Sequence, residues 1–217
     1  FSAPVTLANG ENTYTARVTT ERGYSETSAP ITVIYDADAP VLTITSPVDG
    51  SKSNRETVTV TGSIEDAYLD VVTVNGQNAT VTNGKYSKRI LLEEGLNVIT
   101  VEAIDLAGNT TEQSVTIDVG YTAPEITNLV PTENKTLLSG DTVKIEFDSA
   151  PDLDAVFSIL MPLTNIVGTS ANALELPMQE TSPGHYVGYY TATRNVVAPG
   201  AKIEVKVTDD YGNVTTQ

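Results

Sequence analysis

The stretch LEEGLNVITVEAIDLAGN at residues 92–109 decides the fold, because the chain repeats it. Shifted back by 85 positions, it aligns without a gap with LANGENTYTARVTTERGY at residues 7–24. Shifted forward by 104 positions, its closing Gly-Asn pair aligns with Gly212 and Asn213. Three copies at this spacing predict three modules.

Each copy reads as a strand followed by a tight corner. Apolar and polar residues alternate with a period of two, which places Ile99, Val101 and Ala103 on a buried face. The equivalent residues are Tyr14, Ala16 and Val18 in the first copy and Ile203, Val205 and Val207 in the third. The corner at residues 105–109 needs a positive φ, which Gly108 adopts without steric cost. A shared register predicts that the copies build similar cores.

The composition indicates an exported all-β protein. Strand-like runs rich in Thr and Val recur along all 217 residues, which predicts modules of about 85–100 residues each. The net charge of −16 disfavours nucleic acid and anionic membranes as partners. The absence of cysteine excludes disulfides and thiolate metal sites. No apolar run reaches the roughly 18 residues of a membrane span, and no signal peptide is visible.

Two linkers with Ala-Pro pairs divide the chain. They lie at residues 36–40 and 120–124, and the residue before each proline is driven into an extended conformation. We therefore predict the C-terminal half of a module at residues 1–36 and a complete middle module at 37–120. A variant module without its last strand follows at 121–217. The half-module cannot close a sandwich alone and must pack on its own missing half, the next module or another chain.

Strand positions follow from turn signals. Asn75-Gly76 and Asn83-Gly84 lie between apolar runs and predict tight hairpins. The strands predicted in the half-module are 4–7, 12–19 and 30–35. Those predicted in the middle module are 41–45, 56–63, 71–74, 78–82, 85–91 and 114–119. The third module is predicted to have strands near 155–161, 174–179 and 185–193, and a long loop at 162–173.

The same residues carry a family resemblance. The motif residues are Ala39-Pro40, Pro47, Thr57–Gly62, Val74–Gly76, Asn83–Tyr86, Gly95, Asn97 and Asp105–Asn109. This pattern resembles the bacterial immunoglobulin-like repeat of the glucodextranase domain B type, which implies tandem immunoglobulin-like β-sandwich modules. Residues 161–164, 176–178 and 184–191 resemble the region that follows such repeats in secreted subtilisin-like serine proteases. The resemblance implies a non-catalytic region downstream of a protease domain.

Catalysis is not expected of this chain. A serine hydrolase brings together a serine, a histidine and a carboxylate, and His185 is the one histidine present. It lies in a turn that leads into a strand, and no Gly-x-Ser-x-Gly motif accompanies it. We therefore expect an exposed turn histidine, and a lone His without Cys also disfavours zinc.

No cofactor is expected, and calcium is the ion for which the sequence offers candidate ligands. Clustered carboxylates supply the oxygen ligands that the ion prefers, and two acidic residues lie in the first linker. Further acidic residues could approach them there. The predicted ligands are Asp36, Asp38, Glu65, Asp66 and Asp105. The alternative is an ordinary solvated linker, because the second linker has no carboxylate between Gly120 and Pro124.

An aromatic row is the third candidate site. In a strand Tyr186 and Tyr190 share one face and Tyr189 lies on the other, so one ring at least is expected at the surface. Exposed rings can stack on sugar faces, which predicts a glycan site. The alternative is that these rings fill a core poor in large residues.

The family resemblance implies an accessory region of a secreted bacterial protease. It would act as a spacer or contact the protease domain, the cell wall or a protein substrate. The alternatives are a carbohydrate- or wall-binding module and a calcium-stiffened adhesin stalk. The expected location is extracellular, in association with the cell wall.

Overall fold

A computed structural model describes residues 2–160, 175–193 and 200–217. Every regular element in these ranges is a strand, which confirms the all-β class. The chain divides into two compact units. The first comprises residues 1–51, 57–92 and 97–117, and the second comprises 52–56, 93–96 and 118–217. The module limits drawn from the sequence stay a prediction.

The first 35 residues form two hairpins. Their strands are β1 (Gly10–Tyr14), β2 (Arg17–Thr19), β3 (Ser25–Thr27) and β4 (Ile31–Tyr35). Strand β1 pairs with β4, and β2 pairs with β3. Residues 4–7 form no strand, and the predicted strand 12–19 is split into β1 and β2. The interruption removes the continuous edge along which a longer strand would pair.

The predicted core face of the half-module is not buried. Ala16 and Val18 are exposed, as is every residue of β4. The expectation of a shared core is therefore wrong for the first copy, because no facing sheet covers this side in the described part of the chain. The expectation that this segment packs on another element stays a prediction.

The middle module is a sandwich of two β-sheets. Its strands are β5 (Val41–Ser46), β6 (Ser51–Ser53), β7 (Thr57–Glu65), β8 (Leu69–Val74), β9 (Gln77–Asn78), β10 (Thr80–Thr82), β11 (Lys85–Leu91), β12 (Gly95–Asp105) and β13 (Thr110–Val119). One sheet has the order β10-β11-β7-β5 and the other β6-β13-β12-β8-β9. This is the arrangement of immunoglobulin sheets, with strands D-E-B-A facing A′-G-F-C-C′.

The predicted register and turns of this module are confirmed. Ile99, Val101 and Ala103 are fully buried, and Val98 on the opposite face is 58% exposed. Asn75 and Asn83 have φ values of 47° and 50°, and each is followed by a positive-φ glycine. Two successive positive φ values define the type I′ turn that matches strand twist, which is why Asn-Gly was informative.

The third module repeats the sandwich. Its strands are β14 (Thr127–Val130), β15 (Thr142–Asp148), β16 (Asp154–Leu160), β17 (Leu176–Pro177), β18 (Gln179–Ser182), β19 (His185–Thr191), β20 (Lys202–Thr208) and β21 (Val214–Thr216). The sheet orders are β14-β15-β19-β18 and β17-β16-β20-β21. Val205 and Val207 are buried in the core beside Phe147, Phe157 and Tyr186. The sequence missed β18 and predicted no last strand for this module, whereas β21 follows the last corner and pairs with β20. The predicted loop 162–173 lies outside the described residues.

Candidate functional site

Three of the five predicted calcium ligands come together in the first unit. One carboxylate oxygen from each of Asp36, Asp66 and Asp105 lies within 4.8 Å of the other two. Asp36 follows β4 in the first linker, Asp66 follows β7, and Asp105 ends β12. Three chain segments that are distant in sequence thus place carboxylates at one point.

The other two predicted ligands lie beside this cluster but do not belong to it. Asp38 and Glu65 are exposed and line a cleft that Asp36 and Asp66 also line. The side-chain amide of Asn9 donates a hydrogen bond to the carboxylate of Asp38. Asp38 is therefore held toward Asn9, which precedes β1, rather than toward the buried Asp105.

Asp105 is the buried member of the cluster, with a relative exposure of 2%. Burial raises the pKa of its carboxyl, but hydrogen bonds from Asn109, Ala107 and Gly108 outweigh burial and hold the pKa below its ordinary value. Asp105 is thus an ionised, acceptor-rich centre. Hard cations such as Ca²⁺ prefer oxygen ligands of this kind and take six to eight of them.

Asp105 belongs to a corner that recurs in the third module. Its Oδ1 atom accepts from the backbone N–H of Ala107 at 2.9 Å and of Asn109 at 2.8 Å. In the later corner, Asp209 accepts at the same two distances from the equivalent N–H groups. Hydrogen bonds from Asn213 also help to hold the pKa of Asp209 below its ordinary value, against the effect of burial. The same hydrogen-bond pattern around an aspartate thus occurs in both corners.

Both corners also reach out to a linker. Asn109 donates from Nδ2 to the backbone oxygens of Asp36 and Asp38, each at 3.3 Å. Thr111 donates from Oγ1 to the backbone oxygen of Pro40 at 2.6 Å. The second linker receives the same pair of contacts, from Asn213 to Gly120 at 2.6 Å and from Thr215 to Pro124 at 2.5 Å.

These four donors were missed as functional residues. The sequence identified Asn109 only as a turn residue. A usable signal was present, since Asp-x-x-Gly-Asn-x-Thr occurs at residues 105–111 and again at 209–215. The acceptors gave no signal, because every residue carries a backbone carbonyl.

The predicted aromatic row is divided between core and surface. Tyr186 is buried, and its ring stacks on Phe147 with centroids 5.2 Å apart. Its hydroxyl donates to the backbone oxygen of Ala150 at 2.9 Å. Tyr190 packs partly against the same core, whereas Tyr189 is 63% exposed. Tyr186 must therefore be removed from the predicted glycan residues, and Tyr189 is the accessible ring.

His185 is engaged by carboxylates on both sides. Its Nδ1 atom lies 2.7 Å from Oδ1 of Asp148, and its Nε2 atom lies 3.4 Å from Oε2 of Glu146. The bond to His185, followed by one from Asn128, holds the pKa of Asp148 below its ordinary value. With both ring nitrogens paired, the imidazole has no free nitrogen to accept a proton from a serine hydroxyl.

The comparisons with known proteins agree with this fold. Residues 40–121 match the family described as glucodextranase, domain B. These residues are therefore similar to that family. The chain as a whole is similar to Bacillopeptidase F of Bacillus subtilis (strain 168), with 53% identity over 215 residues. That match covers 99% of this chain and 15% of the relative, so the chain spans a small part of its relative's length.

Solved structures are similar in fold alone. The fibronectin(III)-like modules of Clostridium thermocellum CbhA cover 82% of this chain and 90% of their own, at 16% identity and a TM-score of 0.46. An I-band fragment of titin covers 83% and 64%, at 13% identity and a TM-score of 0.49. The chain is a non-catalytic immunoglobulin-like region, and its residues 40–121 are similar to glucodextranase domain B. No membrane-spanning helix occurs in the ranges that the structure describes.

Proposed function

We propose that this chain is the accessory region of a secreted serine protease and that it spaces the domains of that protein. The observation that carries the proposal is the 53% identity to a small part of Bacillopeptidase F across nearly the whole chain. Two closed sandwich cores support the spacer role, because a folded module keeps its length where a disordered linker does not. The hydrogen-bonded linkers support it in the same way.

The test is a deletion in the parent protease. Removal of the residues that correspond to 37–217 should leave kcat/KM for a short peptide unchanged, because the region supplies no catalytic group. Turnover of large or insoluble protein substrates, or retention on cell walls, should change when the spacing changes. Loss of peptide hydrolysis by a folded deletion variant would contradict the proposal, since the region would then be part of the active site.

A calcium brace at the first linker is a second proposed role. Its support is the approach of Asp36, Asp66 and Asp105 to within 4.8 Å, with one carboxylate buried. A bound Ca²⁺ would offset the repulsion among three like charges and tie the linker to two strand ends. Titration calorimetry with CaCl₂, against MgCl₂ as the comparison, measures this binding directly.

A glycan site on the third module stays a proposal with a reduced residue set. Tyr189 supplies the exposed ring, and Lys144, which pairs with it across the strands, could donate to a sugar hydroxyl. Protein substrates, the cell wall and the protease domain of the parent remain the proposed partners.

A further inference from the structure

Each of the two linkers is held by the corner that closes the module following it. The contacts join residue 109 to 36 and residue 111 to 40 in one case, and residue 213 to 120 and residue 215 to 124 in the other. The corners are 104 positions apart and the linkers 84, so the third module is longer by 20 positions. The same linker atoms are nevertheless bonded in both modules.

The bonded atoms are alternate carbonyl oxygens of one linker. Asn109 and Thr111 occupy the carbonyl oxygens of residues 36, 38 and 40. In extended backbone, alternate carbonyls point to the same side. A peptide that docks on a protein by strand addition offers such an edge for main-chain hydrogen bonds. In the first linker this edge is already in use.

The earliest copy of the corner shows that these side chains are not needed to form the loop. Its Gly23 N–H donates to the Thr20 carbonyl at 2.9 Å, as Gly108 N–H donates to the Asp105 carbonyl at 3.2 Å. The residue equivalent to Asn109 is Tyr24, which is 75% exposed. The loop thus closes without the asparagine amide, which in the two later corners donates both to Oδ2 of the corner aspartate at 2.8 Å and to the linker.

We propose that residues 105–111 and 209–215 are linker locks, which withhold the linker backbone from serine proteases. Cleavage requires the segment to leave its partners and bind in extended form, and a locked linker must first break these hydrogen bonds. The inference rests on the proposed function, since a spacer that accompanies a serine protease is exposed to proteolysis at its joints. Each lock acts on its own linker.

The test is limited digestion of the 217-residue chain by a broad-specificity serine protease. The variants are Asn109→Ala with Thr111→Val, and Asn213→Ala with Thr215→Val. Asn78→Ala with Thr80→Val is the matched control, because both side chains are exposed and lie outside the two locks. Valine keeps the shape and strand preference of threonine and removes only the hydroxyl.

The first double variant should be cut within residues 36–40, and the second within residues 120–124. Each cut should be about tenfold to a hundredfold faster than in the parent chain, since two or three net hydrogen bonds are lost. The other linker and the control should be cut at the parent rate. N-terminal sequencing of the fragments identifies the site.

Two results would overturn the proposal. One is an unchanged cutting rate at both linkers. The other is cutting spread through the adjoining module with a lower melting temperature, which would show that the corner stabilises the sandwich rather than the linker. The digestion measures cleavage at the linkers only, whereas the deletion in the parent protease tests the spacer role through substrate turnover. Failure of one proposal can therefore be distinguished from failure of the other.

Discussion

The ring of Tyr211 lies against Gly120 so closely that a Cβ atom on residue 120 would be 2.7 Å from ring carbons. The Tyr211 hydroxyl donates to Oδ2 of Asp118 at 2.9 Å, and the ammonium of Lys52 lies 5.1 Å from the ring centroid. All four residues belong to the second unit. The second linker thus needs glycine at position 120, because the Tyr211 ring fills the space that a side chain would occupy.

Gly120→Ala should therefore destabilise the chain. Forcing a methyl group into a filled site costs about 1–3 kcal/mol, and thermal unfolding measures the loss. The control is the same substitution in a Tyr211→Ala background, where the methyl has room and the cost should nearly vanish. An equal loss in both backgrounds would mean that the ring is not the cause.

Tyr86→Phe should destabilise the middle module by about 1–2 kcal/mol. The buried Tyr86 hydroxyl donates to the Thr43 carbonyl at 2.9 Å, and phenylalanine leaves that carbonyl without its donor. Burial raises the pKa of Tyr86 to about 12. Because the folded pKa lies above the ordinary value near 10, this contribution is complete below pH 10 and is lost as pH rises toward 12.

The predicted loss of stability at alkaline pH can be measured separately. Urea unfolding at several pH values between 9 and 12 should show falling stability in the parent chain and a smaller fall in Tyr86→Phe. Parallel pH curves for the two proteins would contradict the assignment to Tyr86.

We expect the chain to lose stability in acid because of the interactions of Asp148. Its pKa is held below the ordinary value of 3.8 by bonds from His185 and then from Asn128. A lowered folded pKa contributes stability above about pH 3.8 that disappears as pH falls through the folded pKa. Asp148→Asn should flatten the curve of unfolding free energy against pH in this range, and an unchanged curve would contradict the assignment to Asp148.

Calcium should raise the melting temperature if the carboxylate cluster binds it. At a concentration one hundred times Kd, the ion would add about 2.7 kcal/mol to the free energy of unfolding. Asp66→Asn keeps an oxygen acceptor for the Tyr68 N–H, which Asp66 now accepts at 2.7 Å, but removes one charge, so it should abolish the shift. Asp70→Asn is the exposed control. No shift in the parent chain at millimolar calcium would rule the site out.

Glycan binding can be tested by co-sedimentation with peptidoglycan and insoluble glucans. If the third module binds them, Tyr189→Ala should abolish pelleting and Tyr24→Ala, which removes another exposed ring, should not. A parent chain that stays in the supernatant, with and without calcium, would remove this role.

The sequence predicted the sandwiches well because their signals are local. Asn83-Gly84 predicted a hairpin, and Lys85–Leu91 is a strand with the predicted bounds. Alternation placed Ile99 and Val205 in cores correctly. The same alternation failed at Val18, because burial depends on a facing sheet that the pattern of one strand does not specify.

The candidate site was predicted in part for a similar reason. Carboxylates at a junction were visible in the sequence, and three of five meet. Asp38 was predicted to join them but pairs with Asn9 instead, a choice set by how the first hairpin lies against its linker. The Tyr186 and Tyr189 rings were correctly assigned to opposite faces, yet which face was buried required the second sheet.

The different spacings of corners and linkers bear on how such chains grow. Each module contains the corner that bonds the linker in front of it, so linker and corner form one unit of sequence. Duplication or deletion of such a unit therefore leaves every remaining linker with its own corner. Insertions such as the 20 extra positions of the third module are tolerated as long as the last corner returns to the same carbonyls. Arrays of this kind can change length by whole blocks without any redesign of their neighbours.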